Sequence, residues 1–144
     1  MKYSVEVEIN QPIDKVVELF KDENNLFKWM KGLQSLEHLE GEPGKKGSTT
    51  KMVFKEGKRQ IEMLETIVAN KLPEEFSATY EAKGVHNLAK ICFIAINENK
   101  TKYFTEQEFQ LKGFMKVFGF LMPGAFKKQT LKYLNMFKDF AEKN

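Results

Sequence analysis

Residues 113–144 read GFMKVFGFLMPGAFKKQTLKYLNMFKDFAEKN, and the reading of this stretch decides the fold. Met122, Phe126, Gln129, Tyr133 and Phe137 recur at three- and four-residue spacing, which is the stripe of an amphipathic helix. Pro123 interrupts the pattern, because it lacks an amide donor and its ring clashes with the preceding turn. Gly124 beside it adds backbone freedom. The spacing therefore predicts a short helical segment over 114–121 and a main helix over 125–143, with Pro123 in the first turn of the main helix.

Upstream of this helix the period changes. From residue 33 onward the chain reads as six consecutive strands. The first, over 33–40, leads into the turn Gly41-Glu42-Pro43-Gly44-Lys45-Lys46-Gly47. Thr50, Met52 and Phe54 then alternate with Thr49, Lys51 and Lys55, and Glu56-Gly57-Lys58 makes a tight hairpin. A long strand over 59–69 ends at Asn70-Lys71-Leu72-Pro73. Phe76, Ala78, Tyr80 and Ala82 alternate with Ser77, Thr79, Glu81 and Lys83. A strand over 85–96 is apolar on both faces near its end, and Asn97-Glu98-Asn99-Lys100 turns the chain again. The last strand puts Tyr103, Thr105, Gln107, Phe109 and Leu111 on one side and Glu106, Glu108 and Gln110 on the other.

The first thirty residues complete the layout. Tyr3, Val5, Val7 and Ile9 alternate with Ser4, Glu6, Glu8 and Asn10, as in a half-buried strand. Asn10-Gln11-Pro12 breaks it, with Pro12 placed for a first helical turn and Asp14 near the positive helix end. Ile13, Val16, Val17 and Phe20 form a helical stripe, and a second short helix over 23–30 groups Leu26, Phe27 and Met30 before Gly32. The order is β-α-α-β-β-β-β-β-β-α, an α+β protein in one domain over 1–144. An antiparallel sheet can leave one face wet, but the other needs cover. One long helix laid over one curved sheet provides that cover and can enclose a pocket.

Composition sets the class. A chain of 144 residues with 42% hydrophobic and 30% charged residues is an ordinary globular domain, large enough to bury a core. Thirteen Phe and seven Met supply an interior with adaptable gaps, although a simply well-filled core would use the same residues. Charge is uneven. Residues 113–144 hold six Lys against Asp139 and Glu142, hence +4, which leaves −1 for the rest of a chain of net +3. A basic helix face suits anionic lipid or nucleic acid, or merely solvent. The strands carry no basic stripe with interleaved exposed aromatics, which argues against nucleic-acid binding. No apolar run reaches transmembrane length, so stable membrane insertion is not expected. The opening MKYSVEVEIN alternates instead of forming an apolar signal segment, and with Cys92 as the sole cysteine no intrachain disulfide forms. A reducing, cytoplasmic setting is the expectation, with Cys92 as an inert core thiol. Composition and spacing do not address oligomeric state.

The layout resembles the helix-grip fold of the START and birch-pollen-allergen-like superfamily, also called SRPBCC, and within it the polyketide cyclase/dehydrase-like group. The resemblance spans the whole chain. It rests on the opening strand followed by Asn10-Gln11-Pro12 and Ile13-Asp14-Lys15-Val16-Val17-Glu18-Leu19-Phe20, and on Trp29 at the end of the second helix. It continues with Glu40-Gly41 and Gly47, Leu72-Pro73 between strands, Asn99-Lys100-Thr101 opening the last strand, and the final amphipathic helix. The resemblance implies a curved antiparallel sheet wrapped around a C-terminal helix, with a cavity for lipids, sterols, polyketides or similar molecules. It implies no single chemistry, since function belongs to sites and not to folds.

The cavity face is expected on the apolar or mixed side of each strand. That gives Met52, Phe54, Tyr80, Tyr103, Thr105, Gln107 and Phe109, faced by Met122, Phe126, Gln129, Tyr133 and Phe137 of the helix, with Trp29 at the mouth or pinning its helix to the sheet. The polar members either orient a ligand carbonyl or hydroxyl, or bond to one another and to backbone. The apolar segment over 114–121 is expected to fold over one end of the cavity, as a lid or as a plain junction. His38 and His86 lie among charged residues or beside a turn and make no acid/base constellation with Cys92, so no catalytic residue is assigned. The carboxylate pairs Glu62/Glu65 and Glu106/Glu108 are not assigned either, the second lying on the wet face. Two His and one Cys scattered at 38, 86 and 92 do not make a metal spacing, and no glycine-rich loop suits a phosphate or cofactor. The leading expectation is binding or transport of a small hydrophobic molecule. A cyclase-, dehydrase- or hydrolase-like enzyme using Tyr and His is the alternative, and a protein-interaction module of the chaperone-ATPase-activator kind is a third.

Overall fold

Lys2 of the first strand pairs with Glu108 of the last, and this long-range closure organises the molecule. A computed structural model describes all residues 1–144. It contains β1 (Lys2–Ile9), α1 (Ile13–Lys21), a 3-10 turn (Glu23–Asn25), α2 (Leu26–Trp29), β2 (Leu33–Glu40), β3 (Thr49–Glu56), β4 (Arg59–Lys71), β5 (Glu75–Ala82), β6 (Val85–Asn97), β7 (Lys100–Leu111), α3 (Phe114–Leu121) and α4 (Gly124–Glu142). The strands form one antiparallel sheet in the order β1-β7-β6-β5-β4-β3-β2. Strands β2 to β7 are thus a meander, and β1 is added at its far edge. This is the expected α+β helix-grip architecture.

The alternation read in the sequence sets which side chains point inward. Cross-strand partners carry the inner face across the sheet: Val5 lies opposite Thr105, Thr105 opposite Ile91, Ile91 opposite Phe76. The register slips beside Val68, where β4 holds one residue more than β5 between the pairs at Ile67 and Ala69. Such a bulge bends its strand and increases the local twist, which curves the sheet toward α4.

At Pro123 the final helix breaks, as expected. Met122 takes φ −131° and ψ 64°, outside the helical region, because the residue before a proline is pushed out of it. Pro123 itself has φ −64° and ψ −27° and opens α4. The expected cover over the cavity does not follow. α3 packs outside it, against the end of β7 and the β5–β6 turn. Gly119 allows this close approach, since a Cβ there would stand 2.5 Å from Leu111 Cδ1. Gly84, at φ +75°, passes under Met115 in a conformation that L side chains rarely adopt.

The core is concentrated at one end of α4. Phe137 is fully buried there, with its ring centroid 5.4 Å from Phe20, 5.2 Å from Trp29 and 5.7 Å from Tyr103. Val5, Ile9, Val16, Leu134 and Ala141 complete this cluster. Polar ties fasten the same end. Gln11 Nε2 donates to the Ala141 carbonyl at 2.9 Å, the Asn10 amide donates to Glu142 Oε2 at 2.8 Å, and Lys138 Nζ donates to the Glu8 carbonyl. Leu33, Met52 and Phe54 form a second, smaller cluster under β2 and β3. Between the two clusters, sheet and helix do not meet.

Candidate ligand-binding site

The gap is a cavity of about 1060 Å³, lined by 37 residues of which 22 are hydrophobic. That is the upper end of the size that holds one drug-sized molecule. Curvature creates it. α4 touches β1 closely, with Tyr3 Oη and Thr130 Oγ1 sharing a hydrogen bond of 2.7 Å, while β3 to β6 bow away. Exposed Lys21, Glu23, Lys45, Lys46 and Lys71 line one end and mark its mouth beside the β2–β3 loop. Phe109, Phe126 and Gln129 line the opposite end.

One wall carries a continuous polar chain. Asn87 Nδ2 donates to Gln107 Oε1 at 2.9 Å and to the Glu108 carbonyl at 3.1 Å. Gln107 Nε2 donates to Thr105 Oγ1 at 2.8 Å, and Thr105 Oγ1 donates to the Lys90 carbonyl at 2.8 Å. Asn87, Gln107 and Thr105 are all buried. A buried polar group without a partner is costly, and each link here satisfies the next.

Beside this chain on the same sheet is a second polar group, since Tyr80 is the cross-strand partner of Asn87. Tyr80 donates its hydroxyl to Glu65 Oε2 at 2.8 Å. Burial lifts the Glu65 carboxyl above its ordinary range, a rise that the Tyr80 hydrogen bond partly offsets. Tyr80 is pushed well above the usual phenol range, first by burial and then by the neighbouring Glu65 charge. Tyr103 is raised by burial alone. Both phenols therefore stay protonated and act as donors. Tyr80 is half-buried and lines the cavity. The Tyr103 hydroxyl has no protein partner, yet no fully enclosed side-chain polar atom is left unpaired, so this donor also keeps access to the cavity.

Of the residues expected on the cavity face, Trp29, Met52, Phe54, Tyr80, Tyr103, Thr105, Gln107, Phe109, Phe126, Gln129 and Tyr133 line this space. Two lie elsewhere. Met122 sits in the break between α3 and α4, 54% exposed, because Pro123 turns its backbone out of the helical stripe. Phe137 is on the stripe but one turn beyond Tyr133, where α1 and α2 close the interior, and it is core instead of lining. Trp29 does two things at once, packing on Phe137 and facing the cavity. At the rim Gln129 Nε2 donates to Glu56 Oε1 at 3.2 Å.

Several other expectations separate cleanly. His38 is exposed and bonded to the Gly41 carbonyl, and His86 pairs with Glu81 at 3.2 Å on the outer side of the sheet. Cys92 is not in the core. It alternates with Ile91 and Phe93 and so faces outward, half-buried, with burial raising its thiol. The pair Glu62/Glu65 is split by the sheet: Glu62 points out to Lys51 at 3.0 Å, while Glu65 points in. Glu65, Asn87 and Thr50 are among the polar lining residues that sequence reasoning missed. The signal for Glu65 was present, since Ile61, Met63, Glu65 and Ile67 alternate on one face and only Glu65 breaks the apolar row.

No protein-family model matches this chain, and no curated protein matches it in sequence. Solved structures do match in fold. The Zhui aromatase/cyclase from a Streptomyces species superposes with a TM-score of 0.80 at 13% identity, over 99% of this chain and 93% of that one. Ara h 8.0201 gives 0.77 at 16% identity, over 100% and 99%. Norcoclaurine synthase from Thalictrum flavum, in a structure with dopamine and hydroxybenzaldehyde, gives 0.72 at 15% identity, over 100% and 87%. The chain shares the helix-grip fold of these proteins over its whole length. Identity at this level carries the fold and not the chemistry.

Proposed function

We propose that this protein binds a small hydrophobic molecule, a lipid, sterol, polyketide or similar compound, in the space between the sheet and α4. One observation carries the reading: about 1060 Å³ of mostly apolar-walled space that no side chain fills. A cavity of this size forfeits packing that a core would normally have, since interiors otherwise pack at crystal density. A ligand that replaces those contacts stabilises the native state by an amount that grows with the logarithm of its free concentration relative to Kd. The polar groups suggest how such a guest is oriented. The Tyr103 hydroxyl is a free donor for a ligand carbonyl or hydroxyl, and the Glu65 carboxyl offers acceptors at another point of the lining. Native mass spectrometry of gently purified protein, together with melting curves in the presence of fatty acids, sterols and flavonoid-like compounds, tests this. A retained small molecule, or a clear upward shift with one class, is expected. No retained mass and no shift with any class would sink the reading.

A second reading follows from the Glu65–Tyr80 pair. A carboxyl raised by burial, hydrogen-bonded to a phenol and facing a cavity, is poised for proton transfer to or from a bound molecule. This favours the cyclase- or dehydrase-like alternative, with Glu65 in the place the histidines were considered for. It predicts that Glu65→Gln lowers turnover of an identified substrate about a hundredfold while leaving its binding intact. Unchanged turnover in that variant removes the enzyme reading and leaves the binding one untouched.

A further inference from the structure

α3 has one partnered face and one bare one. Phe118 packs edge-on against Phe126 with centroids 6.0 Å apart, and Gly119 is buried against Leu111. The opposite face carries Phe114, Val117, Phe120 and Leu121, exposed by 78%, 54%, 84% and 69%, and Met122 extends it at 54%. These five are the most exposed large apolar side chains of the molecule, and all fall within nine consecutive residues. Concentrated exposure of this kind marks an interaction surface, whereas scattered apolar residues need no explanation.

The charge around it is of one sign. From Phe109 to Lys138 the sequence holds no Asp or Glu and six Lys. Lys112, Lys116, Lys127 and Lys128, which flank or sit on α3, are exposed, and none takes part in an ion pair. Bare aromatics and leucine beside unpaired lysines are the makeup of a helix that lies in a membrane interface. A second copy of the chain would set these lysines against one another, whereas an anionic bilayer neutralises them. Eight residues of helix span only about 12 Å against a hydrocarbon core of about 30 Å, so the contact is superficial. No helix of the molecule is long and apolar enough to cross a membrane.

We propose that α3 docks this protein onto lipid bilayers carrying anionic headgroups, with Phe114, Val117, Phe120 and Leu121 entering the interface and Lys112, Lys116, Lys127 and Lys128 meeting the headgroups. The docked helix adjoins the cavity. Phe118 touches Phe126, which lines the cavity end together with Phe109, 4.9 Å away. The surface itself does not depend on what the cavity holds.

Co-sedimentation of the purified protein with vesicles tests this. Strong binding is expected to equimolar phosphatidylcholine–phosphatidylglycerol vesicles, falling about tenfold or more on phosphatidylcholine alone and weakening as salt is raised. The double variants Phe120→Ser/Leu121→Ser and Lys116→Glu/Lys128→Glu are each expected to cut binding to the mixed vesicles by about tenfold or more. Their circular dichroism melts should match the parent, because the altered side chains are exposed. Tryptophan fluorescence of Phe120→Trp, corrected for Trp29, should shift to the blue on adding mixed vesicles. Equal binding of parent and both double variants, binding to neither vesicle, or an unshifted Phe120→Trp spectrum would overturn the proposal. So would a dimer in solution that Phe120→Ser/Leu121→Ser dissociates, which would assign the face to a second copy.

Discussion

Tyr80 on β5 reaches Glu65 on the neighbouring β4 and donates its hydroxyl to Oε2 at 2.8 Å, inside a mostly apolar space. This contact puts a cavity-lining carboxyl under the control of a phenol that burial keeps protonated. It also gives the protein a pH signature. Because burial raises the Glu65 carboxyl, the native chain holds a proton over a window in which the unfolded chain has already released it. Stability then falls as pH rises through that window, and the loss persists above it.

Glu65→Gln retains an acceptor for Tyr80 and removes the titration. The variant is expected to melt at a higher temperature than the parent at neutral pH. The advantage should shrink toward zero in acid below the ordinary carboxylate range. Melting curves across that span check it, and an advantage that does not change with pH would contradict the assignment.

Glu142 carries the opposite sign. The Asn10 amide, and then Lys138, hold its carboxyl below the usual range. Its contribution is present at neutral pH and is lost as pH falls through the depressed value. Glu142→Gln keeps an acceptor for Asn10, so it isolates the charge. A small drop in melting temperature at neutral pH, absent in strong acid, is the expected result.

Phe137 and Met122 share a helical spacing in the sequence but not a helix in the fold, and should respond very differently. Phe137→Ala empties a fully buried site ringed by Phe20, Trp29 and Tyr103, and is expected to cost about 3–5 kcal/mol by urea unfolding. Met122→Ser, in the exposed break, should stay within about 0.5 kcal/mol of the parent.

Ala89 lies on the cavity wall between Asn87 and Ile91. Ala89→Phe projects a ring into open space instead of into a packed core. The variant is expected to fold and to lose the melting shift that a ligand gives the parent. A shift of the same size in both proteins would place the ligand elsewhere.

Neither histidine faces the cavity. His38→Ala is expected to leave ligand affinity, measured by titration calorimetry, within the error of the parent value. A large loss would mean that the β2–β3 edge takes part in binding.

Much of this was legible from period alone. Alternation marked the inward side of β3, β5 and β7, and helical spacing marked the inward face of α4, which is why eleven of the thirteen anticipated positions line the cavity. What periodicity cannot supply is depth. Phe137 lies on the correct face but in the wrong layer, because α1 and α2 fill that end of the interior. Glu65 was obscured by pairing it with Glu62 as a charge, when residues three apart on a strand point to opposite faces. Asn87 was hidden because β6 is apolar on both faces near its end, so alternation did not separate its faces. The bulge at Val68 leaves no mark in the hydrophobic pattern. α3 was expected to fold over one end of the cavity because it is apolar, yet apolarity states what a face prefers to touch, not what the chain supplies.

The pairing of β1 with β7 sets an order of events during synthesis. The strand made first must wait for partners about a hundred residues downstream, from Thr101 opposite Ile9 to Glu108 opposite Lys2. Until the ribosome has released those residues, β1 has no neighbour and the meander from β2 onward ends in an open edge. Contacts this distant in sequence are slow to close. The wall built from β1, β7 and α4 is therefore the last part to be completed, and until then the cavity is a bowl open along that side.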